Sequence, residues 1–106
     1  MTDKAVKHNK DKAKLALFPM RAFQLAGKVF TFGASKYAPY NWAKGLPHSE
    51  LMDATFRHLT SYWSGEDLDP ESGLPHLAHA LCCVAMLLES KDRGLGTDDR
   101  WTWGAP

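Results

Sequence analysis

Residues 65–79, GEDLDPESGLPHLAH, combine four carboxylates and two histidines directly before the apolar run ALCCVAMLLE. Imidazole nitrogens and carboxylate oxygens together suit Mn²⁺, Zn²⁺, Fe²⁺ or Co²⁺, whereas sites made only of carboxylates suit Mg²⁺. The sequence has no Lys or Arg between Arg57 and Lys91, so this part of the chain needs another source of positive charge. The segment therefore predicts a divalent metal site.

The candidate ligands lie at helical spacing. His76 and His79 share one face at the start of an apolar helix, and His58 lies at one margin of the preceding helix. The predicted metal ligands are His58, Asp69, His76 and His79, and the predicted catalytic carboxylates, which accept a proton from water, are Glu66, Asp67 and Glu71. The alternative is that the acids complement a helix dipole, that the histidines belong to the core, and that Cys83 is an apolar thiol rather than a zinc ligand.

A second group of residues suits a nucleotide. The segment GASKYAPYNWAKGLP contains glycines and prolines that break a helix, and it carries lysines and aromatic rings. Lysines can contact phosphates and a Trp ring can stack on a base. The predicted nucleotide-binding residues are Lys36, Tyr37, Asn41, Trp42 and Lys44. An ordinary surface loop explains the same residues, and the spacing alone does not decide between the two.

Apolar periodicity predicts the helices that position both groups. We predict helices over residues 20–35, 50–64 and 75–90, the second one capped by Ser49. The apolar stripe of the second helix consists of Met52, Phe56, Leu59 and Trp63. The third is apolar nearly all round and is expected to be the buried helix. The predicted fold class is all-α: a small helical bundle with a long ordered loop between helices 1 and 2, completed by oligomerisation.

The 106 residues predict a single domain with a flexible basic arm at 1–15, a helical metal- and nucleotide-binding part at 16–90 and an irregular tail at 91–106. A chain of this size buries only about 65% of its unfolded surface, so a homodimer or larger assembly is expected. Five lysines without interleaved aromatic residues favour a solvated arm over one that binds nucleic acid.

Composition also indicates a compartment. Cys82 and Cys83 are adjacent, which rules out a framework of bridges and favours a reducing, cytoplasmic setting. No stretch approaches the length of apolar sequence that a membrane span needs, so no membrane partner is expected.

At these residues the chain resembles a known family. The strings GASKYAPYNWAKG, RHLTSYWSGEDLDPESGLPHLAHALCC and AMLLE resemble the phage and bacterial domain named dATP/dGTP diphosphohydrolase, amino-terminal. Its members show a KY…NW-KG loop, a helix with RH, and then GED-D-E-SG--H--H. The resemblance covers roughly residues 20–90, and it places the protein in the host cytoplasm if a phage encodes it.

That family resembles an outlying branch of the all-α, MazG-like nucleoside triphosphate pyrophosphohydrolases, which hold Mg²⁺ or Mn²⁺ with an E-E-x-x-E motif and an E-x-x-D motif. His76 and His79 fall at the E and D positions of the second motif. The first motif is missing, because the corresponding helix offers only Asp53 and His58. The resemblance implies hydrolysis of a purine deoxynucleotide, dATP or dGTP, to a deoxynucleoside monophosphate and pyrophosphate.

Two other classes of function fit the same residues. A protein that captures a nucleotide or a nucleotide signal without turnover needs the basic and aromatic loop but no activated water. A small interaction protein would use the histidines as a structural metal clip and would lose its fold on chelation.

Overall fold

The computed structural model describes residues 3–104, and the fold in this range is built from three α-helices. The helices are α1 (Met20–Lys36), α2 (His48–Trp63) and α3 (His76–Arg93), with short 3₁₀ turns at Leu15–Leu17 and Asn41–Lys44. Extended pairing within the described range is limited to two isolated bridges, Pro47 with Thr97 and Leu68 with Pro75. The all-α prediction is confirmed.

Helix α3 packs against both other helices, and it runs antiparallel to α2. The core is small and consists of Val29, Ala78 and Cys82, with Leu25 and Leu74 packed against it. Small side chains allow a close approach: the Cys82 thiol donates to the carbonyl of Ala26 in α1 at 3.4 Å. Because α3 packs closely against both other helices, it positions both groups of candidate residues.

The buried face of α2 differs from the predicted stripe. Leu51 and Thr55 are buried against α3, whereas Phe56, Leu59 and Trp63 are exposed, Trp63 to 88%. The face that turns inward is the one that carries His58, because the histidines of α3 and the small residues around them pack there. Three of the four residues of the predicted apolar stripe therefore lie on the outer surface, and Met52 is half-buried.

Burial of α3 is also one-sided. Ala78, Ala80, Cys82 and Cys83 are buried, but Leu77, Val84 and Leu88 are exposed. Helix α3 has more buried residues than α1 or α2, as predicted, but two helices cannot cover the whole circumference of a third, so one side of α3 is exposed in the single chain. The exposed leucines and valine leave an apolar surface on α3.

The ends of α2 and α3 also differ from the predicted helix ends. Helix α2 begins at His48 after Pro47, so Ser49 lies within the first turn and the predicted cap is wrong. Helix α3 continues to Arg93 and ends where Gly94 has φ of 71°, so residues 91–93 of the predicted tail are helical.

The segment after α3 docks on the start of α2. The His48 amide donates to the Thr97 carbonyl at 2.9 Å, and the Ser49 amide and hydroxyl both donate to the Asp99 carboxylate. Gly96 has φ of +71°, and a Cβ there would lie 2.1 Å from the carbonyl oxygen of Leu46. Only glycine permits this approach of two backbones.

Residues 3–14, most of the predicted basic arm, are exposed and contain no helix. Within the range that the structure describes, no helix has the length and apolarity needed to cross a membrane.

Candidate metal centre

Three histidines meet where the C-terminal half of α2 faces the first turns of α3. The antiparallel arrangement of the two helices brings His58 beside His76 and His79, although about 20 residues separate them in the sequence. The rings of His58 and His79 stack with centroids 4.6 Å apart and planes at 10°. The connection between the helices, residues 64–75, folds over this point and supplies the carboxylates.

One constellation in this region has the arrangement of a metal site. His58, Asp69 and His79 each offer one ligand atom, and these atoms all lie within 4.8 Å of one another. All three residues are half-buried. Three of the four predicted ligands are thus brought together, in a set of two nitrogens and one oxygen.

Local hydrogen bonds hold Asp69 in place. Its Oδ1 accepts from the amides of Glu71 at 2.7 Å and Ser72 at 3.3 Å, which is an Asx turn. Its Oδ2 lies 3.8 Å from Nδ1 of His58. Burial raises the pKa of Asp69, but the two amides and the neighbouring histidines outweigh it, so the pKa lies below its usual range. The carboxylate is therefore ionised and oriented.

His76, the fourth predicted ligand, lies outside this set and contacts its neighbour instead. It is buried, its Nε2 lies 2.6 Å from Oε1 of Glu66, and its Nδ1 lies 2.9 Å from Nδ1 of His58. The donor between the two Nδ1 atoms depends on the tautomer: with a proton on Nε2 of His76 toward Glu66 and none on its Nδ1, His58 donates its Nδ1–H. This tautomer leaves Nε2 of His58 with its lone pair. The Glu66–His76 pair thus orients His58.

His79 is positioned by two residues that the sequence analysis did not assign to the site. Its Nε2 lies 2.6 Å from the Ser72 hydroxyl, and the ring of Phe32 in α1 meets the imidazole edge-on at 6.3 Å. A Ser seven residues before a predicted His ligand, within a turn, was the available sequence signal for Ser72. Phe32 carried no such signal, because its contact depends on how α1 packs.

The pKa values of His58 and His79 both lie below the ordinary 6.5. Burial is the largest cause in both cases, and neighbouring imidazoles add to it, while Asp69 opposes the shift. Both rings are therefore neutral near pH 7 and have a lone pair for a cation.

The predicted catalytic carboxylates have different surroundings. Glu66 pairs with His76, and Glu71 forms an ion pair of 2.6 Å with Lys36 at the end of α1. The backbone carbonyl of Asp67 accepts a hydrogen bond from the His76 amide at 2.9 Å, and Asp67 is exposed. All three lie in the connection beside the histidines, but their carboxylates are engaged to different degrees.

The predicted nucleotide-binding residues are spread over a wider area. Lys36 is tied to the carboxylate connection through Glu71, and Tyr37 and Lys44 are exposed. Asn41 and Trp42 are half-buried in the 3₁₀ turn, and Trp42 lines a pocket toward the other end of α3. The structure therefore places the loop aromatics and the histidine cluster at two separate positions along α3.

Other candidate residues lie outside the metal centre. Asp53 is exposed on α2. Cys83 is buried beside Thr55, and burial raises its pKa, while burial raises the pKa of Cys82 to about 12. Both thiols are protonated at neutral pH, which agrees with the apolar-thiol alternative.

Within the described residues, the fold is all-α, and two histidines and one carboxylate converge as a candidate divalent-cation site. The model of the family described as dATP/dGTP diphosphohydrolase, N-terminal, matches residues 2–100, and the chain belongs to this family. A protein of Salmonella phage PMBT28 named dATP/dGTP diphosphohydrolase is 35% identical over 104 residues. The match covers 95% of the chain and 35% of that relative, so the chain spans about a third of its length. The family predicted from the sequence is confirmed, and no solved structure gives a significant match.

Proposed function

We propose that the protein is a metal-dependent nucleoside triphosphate pyrophosphohydrolase that converts dATP or dGTP to a deoxynucleoside monophosphate and pyrophosphate. Membership of the family and the name of the phage relative support the reaction. The observation that carries the proposal is the convergence of His58, Asp69 and His79, with ligand atoms within 4.8 Å of one another.

The donor set fits a divalent cation. Two neutral imidazoles and one ionised carboxylate suit Mn²⁺, Zn²⁺, Fe²⁺ or Co²⁺, and Mg²⁺ is the family alternative. His58, Asp69 and His79 would hold the ion, with His76 orienting His58 from behind. Such an ion neutralises charge on phosphate oxygens and makes a neighbouring water more acidic.

The protein's own side chains supply the remaining chemistry. We assign the acceptance of a proton from water to Asp67, because the carboxylates of Glu66 and Glu71 are already paired. Lys36 and Lys44 would contact phosphates, and Tyr37, Asn41 and Trp42 would hold the rest of the nucleotide.

Incubation of the purified protein with dGTP or dATP and Mn²⁺ or Mg²⁺, followed by anion-exchange chromatography, tests the proposal. We expect a deoxynucleoside monophosphate and pyrophosphate in equal amounts, and no product after chelation. Asp69→Asn should abolish the reaction, whereas Asp53→Asn, which removes an exposed carboxylate of α2, should leave it unchanged. Equal rates in the two variants would contradict the metal centre.

The same experiment separates the other two classes of function. A nucleotide-capturing protein would bind dGTP and return it intact. A structural metal clip would contain tightly held metal, and chelation would abolish the helical circular dichroism signal rather than only the activity.

We further propose that the chain assembles as a homodimer or larger through the exposed apolar faces of α2 and α3. Phe56, Leu59 and Trp63 on α2 and Leu77 and Leu88 on α3 are all exposed in the single chain. Large apolar side chains grouped in this way are typical of an interface.

A further inference from the structure

A pocket of about 580 Å³ lies between the loop after α1 and the C-terminal half of α3. Phe30, Tyr40 and Trp42 line one side, and Met86, Glu89 and Arg93 line the α3 side. The histidine cluster lies at the opposite end of α3, so the pocket is a separate feature of the surface.

The loop side of the pocket presents aromatic rings. Trp42 is half-buried in the 3₁₀ turn, and Tyr40 directly before the turn has φ of 60°. A non-glycine residue adopts this left-handed conformation at a cost, so the fold holds the Tyr40 backbone in a specific turn. Flat aromatic faces beside an open pocket suit a planar heteroaromatic ring, which stacks on them irrespective of its substituents.

The α3 side presents one acid and one base. Nε of Arg93 donates to Oε2 of Glu89 one helical turn earlier. Their side chains remain 66% and 45% exposed. This contact does not use Oε1 of Glu89 or the two terminal nitrogens of Arg93. A carboxylate acceptor next to a guanidinium donor complements the edge of guanine, which has two adjacent donors, N1–H and the 2-amino group, next to the O6 acceptor.

Helix α3 connects this pocket to the metal centre. His79, Met86 and Arg93 are spaced seven residues apart and therefore lie on one face of the helix. The rise of an α-helix puts Met86, at the near side of the pocket, about 10 Å from His79 along the axis, and Glu89 about 15 Å from it. An extended nucleotide can span that separation with its base at one end and its phosphates at the other.

We propose that this pocket binds the guanine base of a deoxynucleotide whose phosphates extend along α3 toward the histidine cluster. Glu89 accepts hydrogen bonds from N1–H and the 2-amino group, Arg93 donates to O6, and Trp42 and Tyr40 stack on the ring. Glu89 and Arg93 are the residues that select guanine over adenine. The inference rests on the proposed function only in taking the ligand to be a nucleotide.

Binding of dGMP and dAMP, measured by calorimetry on the full chain, tests the pocket without any turnover. The wild type should bind dGMP about 5- to 100-fold more tightly than dAMP, because adenine has no donor at N1 and its lone pair meets the carboxylate. Glu89→Gln should remove most of the preference for guanine, since a Gln amide has one acceptor in place of two and can also accept from N6 of adenine and donate to N1. Asp92→Asn, an exposed carboxylate on the same helix, should keep the wild-type ratio.

A second variant separates stacking from edge recognition. Trp42→Ala should weaken dGMP and dAMP by the same factor, about 5- to 150-fold, because stacking does not distinguish the bases. Its circular dichroism spectrum, compared with that of the wild type, shows that the helices are retained.

The proposal is overturned if dGMP does not bind measurably, or if Glu89→Gln keeps the preference for guanine. It is independent of the hydrolysis assay. If the wild type hydrolyses the triphosphate but binds dGMP and dAMP equally well, the pocket proposal is contradicted and the proposed function stands. A preference for guanine that Glu89→Gln removes, in a protein that releases no pyrophosphate, would support the pocket and contradict the proposed function.

Discussion

The three clustered histidines have distinct surroundings, which divide the chemical work among them. His76 is buried between Glu66 and His58 and has hydrogen bonds on both ring nitrogens. His58 and His79 are half-buried, and their pKa values are lowered mainly by burial. Histidine can be a metal ligand, a core residue or a hydrogen-bonding partner, and here the neighbours of each ring decide which role it can take.

The lowered pKa values predict acid sensitivity of the metal-free protein. The unfolded chain binds protons at His58 and His79 with an ordinary pKa of 6.5, and the folded chain binds them only at lower pH. Between these values the unfolded state carries more protons, so the stability supplied by the neutral rings is lost as the pH falls below 6.5. Thermal melts between about pH 7.5 and about pH 5, and NMR titration of both imidazoles, check this. Midpoints above 6.5 would contradict it.

The metal set predicts that two neighbouring histidines respond differently to substitution. His79→Ala should abolish Mn²⁺ binding measured by calorimetry, because it removes a ligand. His76→Ala should weaken binding by about 10- to 100-fold, the usual effect of losing a partner that orients a ligand. Asp53→Asn is the control and should bind like the wild type. If His79→Ala keeps its metal affinity, His79 is a core residue, as the alternative interpretation holds.

At the scale of elements, the start of α2 depends on a segment that is distant in sequence. Pro47 at the N-cap has no side chain that accepts a hydrogen bond, and the Asp99 carboxylate takes this role for the amide of Ser49. The hydroxyl and amide of Ser49 lower the pKa of Asp99. A negative charge at this position also complements the helix dipole.

Asp99→Ala should therefore lower the melting temperature, whereas Asp92→Ala, at an exposed position on α3, should not. The contribution of Asp99 is present above its unfolded pKa near 3.8 and is lost as the pH falls through the lower folded value. Differential scanning calorimetry of both variants at neutral pH measures the difference. Equal melting temperatures would mean that the segment after α3 does not stabilise α2.

At the scale of the whole molecule, the single chain exposes several large apolar side chains to water, which is energetically unfavourable. Trp63 is 88% exposed, and Phe56 and Leu59 lie on the same side of α2. The buried apolar residues of the described range are few, namely Val29 and Leu51 together with small alanine and cysteine side chains. Burying aromatic surface against a second copy stabilises both chains by the hydrophobic effect.

The protein should accordingly sediment as a dimer or larger at micromolar concentration. Trp63→Asp should shift the distribution toward the monomer, because a charge in an apolar interface is costly. Trp101→Asp replaces a ring that is 77% exposed in the segment after α3, and it should leave the assembly unchanged. Analytical ultracentrifugation distinguishes these outcomes, and a monomeric wild type would contradict the assembly.

The sequence by itself determined the all-α class and the approximate ranges of the three helices. Apolar spacing is a local property, and Pro and Gly at the segment ends are local signals, so these features could be predicted without tertiary contacts. The sequence also indicated three residues that the structure brings together, because His79 and Asp69 are close in the chain and His58 lies on the adjacent helix.

Only the tertiary structure decided which face of α2 is buried, and with it the role of each site residue. The stripe with Phe56 and Trp63 was the stronger apolar signal, but the face with Thr55 and His58 packs on α3. The separation of His76 from the metal set, like the cap that Asp99 provides, arises from contacts between distant segments. Helical periodicity states which residues share a face, but the partner across that face is set by the packing of the whole chain, which no local pattern contains.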